Sequence, residues 1–313
     1  MVITTKTSTF ANGMIKVSVV LPIYNVAPYL DAAFKSILGQ TLTELEVIAV
    51  NDGSTDNSQE IIEKYAAQDR RIQCVVQENR GLSGARNTGM RYIRGQYVFF
   101  MDSDDVIEQD TLQRCYDYAE THDADICIFD AEPMYETGAA PIAWDYNRAF
   151  LLERDKAYEG EQLMDLQMRH NRQRAVVWLQ FIKWSYLQET GLSFYEGIIH
   201  EDELFTPQLF LQSRRIYYLP CQFVKHRIRR SSIVGKGYSK RNFDCYLTVF
   251  DELFQFQDSP IIRRFARYTL SAAFYTGHVI PLTDKVKVFW RTLRSGYLPY
   301  IHWKSLLVFW FRS

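Results

Sequence analysis

Three aspartates lie within four residues of the chain, at Asp102, Asp104 and Asp105. Carboxylates this close repel one another, which costs stability unless a cation lies among them. Carboxylate oxygens with few further protein ligands suit Mg²⁺ or Mn²⁺, and a diphosphate could complete the shell of such a metal. The sequence therefore predicts a divalent cation, Mn²⁺ or Mg²⁺, at this position.

Three earlier turns carry residues that could contact an organic ligand. Tyr24 offers a flat aromatic face on which a base could stack. Asp52 is an acceptor suited to a base imide N–H, and the following Gly53 and Ser54 let the backbone approach a ligand closely. Each turn alone also has a structural explanation, because Asn, Asp, Gly and Ser are ordinary turn residues. The turns are Pro22-Ile-Tyr-Asn25, Asn51-Asp-Gly-Ser-Thr-Asp56 and Glu78-Asn-Arg-Gly81.

The polar turns follow short apolar segments that alternate with amphipathic ones. Strands are predicted at Val17–Leu21, Glu46–Val50, Ile72–Val76, Gln96–Met101 and Asp125–Phe129. Helices are predicted at Tyr29–Leu38, Asp56–Gln68 with Asp56 as N-cap, Leu82–Ile93 and Gln109–Thr121. This alternation predicts an α/β fold with a Rossmann-like, mainly parallel sheet flanked by helices. Ligands of such sheets bind beyond the carboxyl ends of the strands, where the polar turns lie.

The chain divides into three parts. Residues 1–15 are Thr- and Ser-rich and are predicted to be a flexible leader. Residues 16–235 form the predicted main domain, and its first half, 16–130, carries the turns described above. Its second half is 131–235, and the mostly helical pattern of 236–313 predicts a helical C-terminal extension.

Composition excludes several classes of protein. Lys and Arg number 36 against 37 Asp and Glu, so the chain is not a polybasic nucleic-acid binder. Five scattered cysteines without CxxC spacing argue against a disulfide scaffold and a cysteine zinc site, and favour a reducing cytoplasm. The beginning of the chain lacks a signal peptide's apolar core, and we find no apolar run long enough to span a membrane.

Four motifs, in their order along the chain, resemble those of family 2 glycosyltransferases, the inverting enzymes with the GT-A fold. They are Val17-Ser-Val-Val-Leu-Pro-Ile-Tyr-Asn25, Asn51-Asp-Gly-Ser-Thr-Asp56, Asn79-Arg-Gly-Leu-Ser-Gly-Ala-Arg-Asn-Thr-Gly89 and Phe100-Met-Asp-Ser-Asp-Asp105. Any one of them alone would be weak, but together and in this order they are a strong signal, and the resemblance extends over residues 16–129. The resemblance implies a nucleotide-sugar donor, usually a UDP-sugar, and a divalent metal.

The resemblance also implies roles for individual residues. It assigns Pro22, Tyr24 and Asp52 to the nucleoside, with Asn25, Gly53, Ser54 and Ser103 in the same nucleotide site. It assigns Asp102 to the ribose side and Asp104 to the metal. Asn79 and Arg86 fit the family's pattern for the nucleotide site.

Inversion requires a carboxylate that takes the proton of the acceptor hydroxyl, and the second half of the domain must supply it. The segment His200-Glu-Asp-Glu-Leu-Phe205 is the candidate, because its apolar residues continue as a helix that places the acids at the helix start. By similarity to the family's Glu-Asp motif, Asp202 is the predicted base and Glu201 a contact of the donor sugar or the acceptor. The alternative is an acidic first turn that the helix dipole favours.

A predicted strand at Tyr217–Val224 leads into a basic segment that begins at His226. Related GT-A enzymes often place a metal-ligating histidine on such a strand, so His226 is a candidate metal ligand; a structural histidine is the alternative. Arg227 and Arg229 are candidate ligands of the departing diphosphate, because guanidinium groups pair well with phosphate oxygens. A solvated basic loop is the alternative.

From Asp284 to the end, six Lys and Arg face one acid, and eight aromatic residues lie among them. A basic and aromatic segment that is too short to span a bilayer is typical of an interfacial anchor. We therefore predict attachment to the inner membrane surface, with a helix packed on the main domain or on a second copy in a homodimer as the alternative.

The combined interpretation is an inverting, metal-dependent hexosyltransferase at the cytoplasmic face of the membrane. It would move a sugar from a nucleotide-sugar to a saccharide acceptor, lipid-linked, in capsule, lipopolysaccharide or exopolysaccharide synthesis. A nucleotidyltransferase is one alternative, but it usually has a Gly-rich basic loop after the first strand, where this chain has Pro22-Ile-Tyr-Asn25. A non-catalytic nucleotide-sugar-binding scaffold is another, which a positioned base at Asp202 would disfavour.

Overall fold

The computed structural model describes residues 3–5, 14–139, 141–142, 145–229 and 238–312. The strands in these ranges are β1 (Ile3–Thr5), β2 (Val17–Ile23), β3 (Leu45–Asp52), β4 (Ile72–Gln77), β5 (Tyr97–Phe100), β6 (Val106–Ile107), β7 (Ile126–Tyr135), β8 (Gln180–Lys183) and β9 (Ile216–Ile228). The α-helices are α1 (Ala27–Leu38), α2 (Ser58–Gln68), α3 (Gly81–Met90), α4 (Thr111–Thr121), α5 (Gly160–Arg169), α6 (Trp184–Thr190), α7 (Asp202–Gln212), α8 (Lys240–Phe256), α9 (Pro260–Thr276), α10 (Leu282–Arg294) and α11 (Trp303–Phe311).

The strands form one sheet in the order β1-β4-β3-β2-β5-β8-β7-β9-β6. Strands β4, β3, β2 and β5 run parallel, as do β7 and β9, whereas β1, β6 and β8 pair antiparallel. Strands β2 and β3 are buried along their whole length because helices cover both faces, which explains their continuous apolar sequence. The predicted α/β fold, a mainly parallel sheet flanked by helices with a helical C-terminal extension, is confirmed.

Helix α2 begins later than predicted. Its N-cap residue is Asn57, so the prediction of Asp56 as N-cap is wrong. The Asp56 carboxylate instead accepts hydrogen bonds from the backbone N–H groups of Ala27 and Ser58, each at 3.0 Å. Asp56 therefore joins the start of α1 to the start of α2, and it fixes the loops that follow β2 and β3 relative to each other.

Two further segments are more regular than predicted. The strand predicted at Asp125–Phe129 is longer in the structure: β7 continues to Tyr135 because its end pairs in parallel with β9, where Tyr135 lies opposite Ile228. Within the predicted flexible leader, Ile3–Thr5 pair antiparallel with β4 and form one edge of the sheet. Residues 1–2 and 6–13 of that leader lie outside the described residues.

Helices α8–α11 share one hydrophobic core with a face of the sheet. The same buried cluster contains Val20 of β2 and Phe309 of α11. The ring of Phe243 on α8 lies 5.1 Å from that of Phe274 on α9 and 5.5 Å from that of Phe309. The helical C-terminal extension therefore packs directly against the α/β part, while the predicted boundary at residue 235 lies outside the described residues.

A buried ion pair fixes the irregular segment that precedes α5. Arg148 Nε donates to Asp130 Oδ1 at 3.0 Å, and both side chains are almost completely buried. The Tyr218 hydroxyl donates to the other carboxylate oxygen at 2.5 Å. The substitution Asp130→Ala should lower the free energy of unfolding by about 3–5 kcal/mol, because it leaves the guanidinium buried and unpaired.

Urea unfolding followed by circular dichroism measures this change. The matched control is Glu153→Ala, which removes an exposed ion pair to Lys156 of 2.6 Å and should change the free energy of unfolding by less than about 1 kcal/mol. Equal effects of the two substitutions would contradict the structural role given to the buried pair.

Candidate active site

The loops after β2 and β3 are tied together by polar side chains. The Asn25 backbone N–H donates to Ser54 Oγ at 3.1 Å, and Asn25 Oδ1 accepts from the Thr55 N–H at 2.8 Å. Asn25 adopts a left-handed backbone with φ of 52°. Tyr24 beside it is half exposed, whereas Pro22 is buried inside β2. Asn25 and Ser54 thus shape the rim of the site, and Tyr24 is the ring that a ligand can reach.

Asp52 is a fixed acceptor at the end of β3. Its Oδ1 accepts from Gln77 Nε2 at 2.6 Å and from the Arg80 N–H at 2.8 Å, while Asn79 Nδ2 donates to its backbone carbonyl at 3.0 Å. Burial raises the pKa of Asp52. Gly53 has φ of +73°, and a Cβ there would lie 2.9 Å from the Asn79 nitrogen, so the close approach of these loops requires glycine.

Arg86 joins the two halves of the main domain. This buried guanidinium on α3 donates through Nη1 to Glu201 Oε1 at 2.8 Å and to Asp202 Oδ1 at 2.9 Å. Its Nη2 donates to Asp102 Oδ1 at 3.1 Å. Burial alone would lower the pKa of Arg86, but Asp202, Asp102 and Glu201 outweigh it, so the pKa is raised and the group stays charged. Residues more than one hundred positions apart in sequence therefore meet at a single cation.

Glu201 is the N-cap residue of α7 and Asp202 is its first residue. Asp202 Oδ2 also accepts from the Val177 N–H at 3.3 Å. Burial raises the pKa of Asp202, and the charge of Arg86 opposes this effect. The negative charges of Glu201 and Asp102 raise the pKa further, by smaller amounts. A carboxylate whose pKa is shifted toward neutrality beside a fixed cation is suited to general base catalysis, which an acidic first turn alone would not require.

The three aspartates after β5 have different surroundings. Asp102 is partly exposed beside Arg86, and Ser103 is buried. Asp104 Oδ2 forms an ion pair with Arg229 Nε at 2.7 Å. Burial, reinforced by the charge of Asp102, raises the pKa of Asp104. Asp105 is fully buried and accepts from the Arg227 N–H at 2.7 Å, so it joins the loop after β5 to strand β9.

His226 lies against that buried aspartate. Its Nδ1 is 3.0 Å from Asp105 Oδ2, and its ring stacks on Trp178 with centroids 4.5 Å apart. Burial alone would lower the pKa of His226, but the bond to Asp105 outweighs it and the pKa is raised. With Nδ1 engaged, a metal would have to be bound through Nε2. Among the residues that the structure describes, no three His, Cys, Asp or Glu side chains come together as a metal site.

Arg227 and Arg229 flank the acidic loop. Arg227 Nε donates to the Asp104 carbonyl at 2.8 Å, complementing the Arg229 ion pair. Both guanidinium groups lie over the ring of Tyr29 on α1, at 4.9 and 5.1 Å from its centroid. The predicted basic segment is thus next to the predicted metal position, although residues 230–233 lie outside the described residues.

Several residues of the site carry no signal in the sequence. Gln77 holds Asp52, and the Val177 backbone holds Asp202. The side-chain amide of Asn87 on α3 forms two hydrogen bonds with the backbone of Phe194, each of 2.8 Å, and so fixes the loop that leads to α7. Nearby, Arg80 pairs with Glu196 at 2.7 Å. Arg80 and Asn87 lie within the Asn79–Gly89 motif and could have been singled out in advance, whereas no spacing in the sequence relates the partners in these contacts.

Comparison with known proteins agrees with these observations. The family model described as Glycosyl transferase family 2 matches residues 18–175. The glycosyltransferase EpsJ of Bacillus subtilis (strain 168) is 32% identical over 266 residues, which cover 82% of this chain and 72% of EpsJ. The glycosyltransferase GlyA of Streptococcus pneumoniae serotype 4 is 33% identical over 222 residues, 70% of this chain but only 31% of GlyA. The chain thus corresponds to about a third of GlyA.

Solved structures show the same fold. TarS residues 1–349 of S. aureus in complex with UDP superimposes with a TM-score of 0.69 at 18% identity, covering 94% of this chain and 83% of TarS 1–349. The mannosyltransferase PcManGT of Pyrobaculum calidifontis, in complex with GDP-Man and Mn²⁺, gives 0.57 at 17% identity, covering 95% and 88%. With the family model matching half of the chain, the resemblance is confirmed: the chain belongs to glycosyl transferase family 2 and is a glycosyltransferase.

Proposed function

We propose that the enzyme moves a sugar, with inversion at the anomeric carbon, from a UDP-sugar to a hydroxyl group of a saccharide acceptor. The observation that carries this proposal is the contact of Arg86 with both Asp102 and Asp202. One guanidinium fixes the aspartate of the proposed donor site and the proposed base within a single cluster. Family membership also disfavours the nucleotidyltransferase and scaffold alternatives.

The proposed nucleotide site lies at the ends of β2 and β3. Asp52 presents a buried acceptor for a base imide N–H, and Tyr24 presents an exposed ring for stacking. Asn25, Gly53, Ser54 and Asn79 shape the same rim. The structures of TarS with UDP and with UDP-GlcNAc, and of PcManGT with GDP-Man, support a nucleotide-sugar donor, and the TarS complexes favour uridine.

The residues after β5 fit a divalent metal, Mn²⁺ or Mg²⁺. The raised pKa of Asp104 reflects burial and the nearby Asp102 charge, and a cation beside these carboxylates would relieve both effects. Such ions use one or two protein carboxylates and complete their shell with phosphate oxygens and water, so a set of three protein ligands is not required. Asp104 would hold the metal, and Asp105 orients His226 as a candidate second ligand through Nε2. When bound, the metal would neutralise negative charge on the diphosphate.

Asp202 is proposed to take the proton of the acceptor hydroxyl. The hydroxyl oxygen then forms its bond to the anomeric carbon on the face opposite the diphosphate, while the bond from that carbon to the diphosphate oxygen breaks and its electron pair stays with the leaving nucleotide. Arg86 keeps Asp202 oriented, and Glu201 shares that guanidinium and faces the sugar or the acceptor. Arg227 and Arg229 contact Asp104, and they are proposed to stabilise the departing diphosphate with their positive charge.

The acceptor is proposed to be lipid-linked, in surface polysaccharide synthesis at the cytoplasmic face of the membrane. Support comes from the last two helices, because α10 and α11 each expose a stripe of apolar and aromatic side chains. The stripes are Leu282, Val286, Trp290 and Leu293, and Trp303, Leu307 and Phe311. The Phe289 and Trp310 rings, 5.6 Å apart, bring the two helices together.

Basic side chains accompany the exposed stripes. Lys287, Arg294, Lys304 and Arg312 are exposed, whereas Lys285 is buried over the ring of Phe309 and does not contribute. Apolar and aromatic groups beside lysine and arginine match the interface of an anionic bilayer. None of the described helices combines the length and the apolar content that crossing a bilayer requires.

Asp202 allows a test that needs no substrate. Its pKa, raised to about 8 mainly by burial, exceeds that of an aspartate in an unfolded chain, about 3.9. The folded state therefore keeps a proton that the unfolded state loses, so this group's contribution to the free energy of unfolding decreases as pH rises from about 4 to about 8.

The substitution Asp202→Asn removes that contribution. We expect the difference in free energy of unfolding, variant minus wild type, to be larger at about pH 9 than at about pH 5 in urea titrations. The control is Asp110→Asn, which makes the same change from carboxylate to amide at an exposed position. A difference that does not depend on pH would contradict the electrostatic description of the cluster.

The catalytic roles are tested by UDP release with Mn²⁺, screened over UDP-, GDP- and dTDP-sugars. Asp202→Asn should lower kcat by about 10²–10⁴, because a general base contributes that much, while UDP binding measured by calorimetry stays the same. Asp104→Asn should lower kcat by a similar factor, about 10²–10⁴, and weaken Mn²⁺ binding. Asp110→Asn should keep wild-type turnover. Wild-type turnover of either active-site variant would contradict the role given to that residue.

Membrane attachment is tested by flotation with vesicles of anionic and of neutral lipids. The double variant Trp290→Ser, Trp303→Ser should lose binding to anionic vesicles, because both rings are exposed on the two stripes. Substitution is preferable to truncation, which would remove the buried Val288 and Phe309 from the core. Phe150→Ser, which removes an aromatic ring exposed elsewhere, is the control. Equal flotation of the double variant and the wild type would contradict the membrane proposal.

A further inference from the structure

One face of α8 holds the two residues that precede the Glu-Asp pair. Asn242, Cys245 and Tyr246 follow one another at helical spacing and share that face. The Ile199 N–H donates to Cys245 Sγ at 3.4 Å. His200 Nε2 lies 3.1 Å from Asn242 Nδ2, and its ring stacks on Tyr246 with centroids 4.2 Å apart and planes 10° apart. Three contacts from one helix thus converge on two consecutive residues.

The orientation of the Asn242 amide determines the tautomer of His200. Asn242 Oδ1 accepts from the N–H and from the Oγ of Ser239, both at 2.9 Å, in a capping box at the start of α8. The amide nitrogen therefore faces the imidazole, and it can only donate. His200 Nε2 must be the acceptor, so the neutral ring carries its proton on Nδ1. Burial lowers the pKa of His200 to about 4, which keeps the ring neutral near pH 7.

The backbone of His200 connects this ring to the base. Its φ of 67° lies in the left-handed region, a strained conformation for a residue other than glycine that persists only where surrounding contacts hold it. Its carbonyl accepts from the Glu203 N–H at 3.0 Å, so His200 forms part of the first turn around Asp202. A change in the position of the ring would therefore move the turn that carries the carboxylate.

We propose that His200 is a positioning residue, and that α8, acting through Asn242 and Tyr246, holds Asp202 in its working orientation. The helical C-terminal extension is then a working part of the active site as well as a packing partner. This inference rests on the proposed function in one respect, since it takes Asp202 as the base. No proton transfer by His200 is required, because its Nε2 is already engaged by Asn242.

The decisive variant is Asn242→Ala. An alanine has no N–H to donate to His200 Nε2, and it has no oxygen to accept from the ring in its other tautomer. We expect kcat to fall roughly 10- to 100-fold with the KM for the nucleotide-sugar unchanged, because the donor site is intact and only the base is displaced. His200→Asn, which tolerates a left-handed backbone but lacks the ring, should have the same effect.

Tyr246→Leu removes the stacked ring and should lower kcat as Asn242→Ala does, and one further substitution serves as the control. Ser239→Ala weakens the helix cap and leaves the amide donor in place, so it should lower the thermal unfolding temperature and leave kcat unchanged. If α8 only stabilised the fold, every variant would instead lose kcat in proportion to the stability that it loses.

Imidazole ¹⁵N chemical shifts of the wild-type enzyme provide a readout that depends on neither turnover nor the folding of a variant. We expect His200 to be neutral with its proton on Nδ1, and a proton on Nε2 would overturn the inference. Asp202→Asn is assayed in parallel. If it is inactive while Asn242→Ala and His200→Asn keep the wild-type kcat, the inference fails and the proposed base stands. If Asp202→Asn is active, the proposed base and the inference fail together.

Discussion

The active site depends on one buried cation, the guanidinium of Arg86. A buried arginine is tolerated only when carboxylates surround it, and removal of one partner from such a cluster is costly because it leaves charge without compensation. Arg86 meets three carboxylates, two from the start of α7 and one from the loop after β5. These contacts hold the two halves of the main domain together and place the proposed base beside the proposed donor aspartate.

The supporting contacts place this cluster between two rigid layers. On the sheet side, Asn87 of α3 holds the Phe194 backbone, and the Phe194 ring lies under Arg86 at 5.1 Å from the guanidinium carbon. On the other side, α8 holds the residues just before α7 through His200. The acidic loop is supported separately, by Asp105 through His226 and Arg227. Each carboxylate thus has a distinct environment, which is how side chains of one chemical type can perform different functions.

The sequence predicted the elements that are encoded locally. Strands such as β2 and β3 are buried on both faces, so their apolar runs and the polar turns after them are recognisable without a structure. The same reasoning singled out Asp52, Asp102 and Asp202 as candidates, because each follows a strand or begins a helix, and their roles stay predictions. It misassigned Asp56, since the Ala27 N–H that competes for that carboxylate lies on a different turn. It also could not separate Asp105 from Asp104, because the distinction depends on the distant strand β9.

Long-range contacts account for what the sequence could not show. Arg86 was predicted as a nucleotide-site residue, but its contacts with Glu201 and Asp202 join the two halves of the domain. The contact between Asn242 on α8 and His200 likewise joins two distant segments that no sequence motif relates. The most direct measurement of the central claim is a crystal structure of the enzyme with Mn²⁺ and an intact UDP-sugar. The account predicts the diphosphate beside Asp104, and the Asp202 carboxylate on the opposite face of the anomeric carbon, still bonded to Arg86. A donor bound elsewhere, or Asp202 turned away from the anomeric carbon, would contradict it.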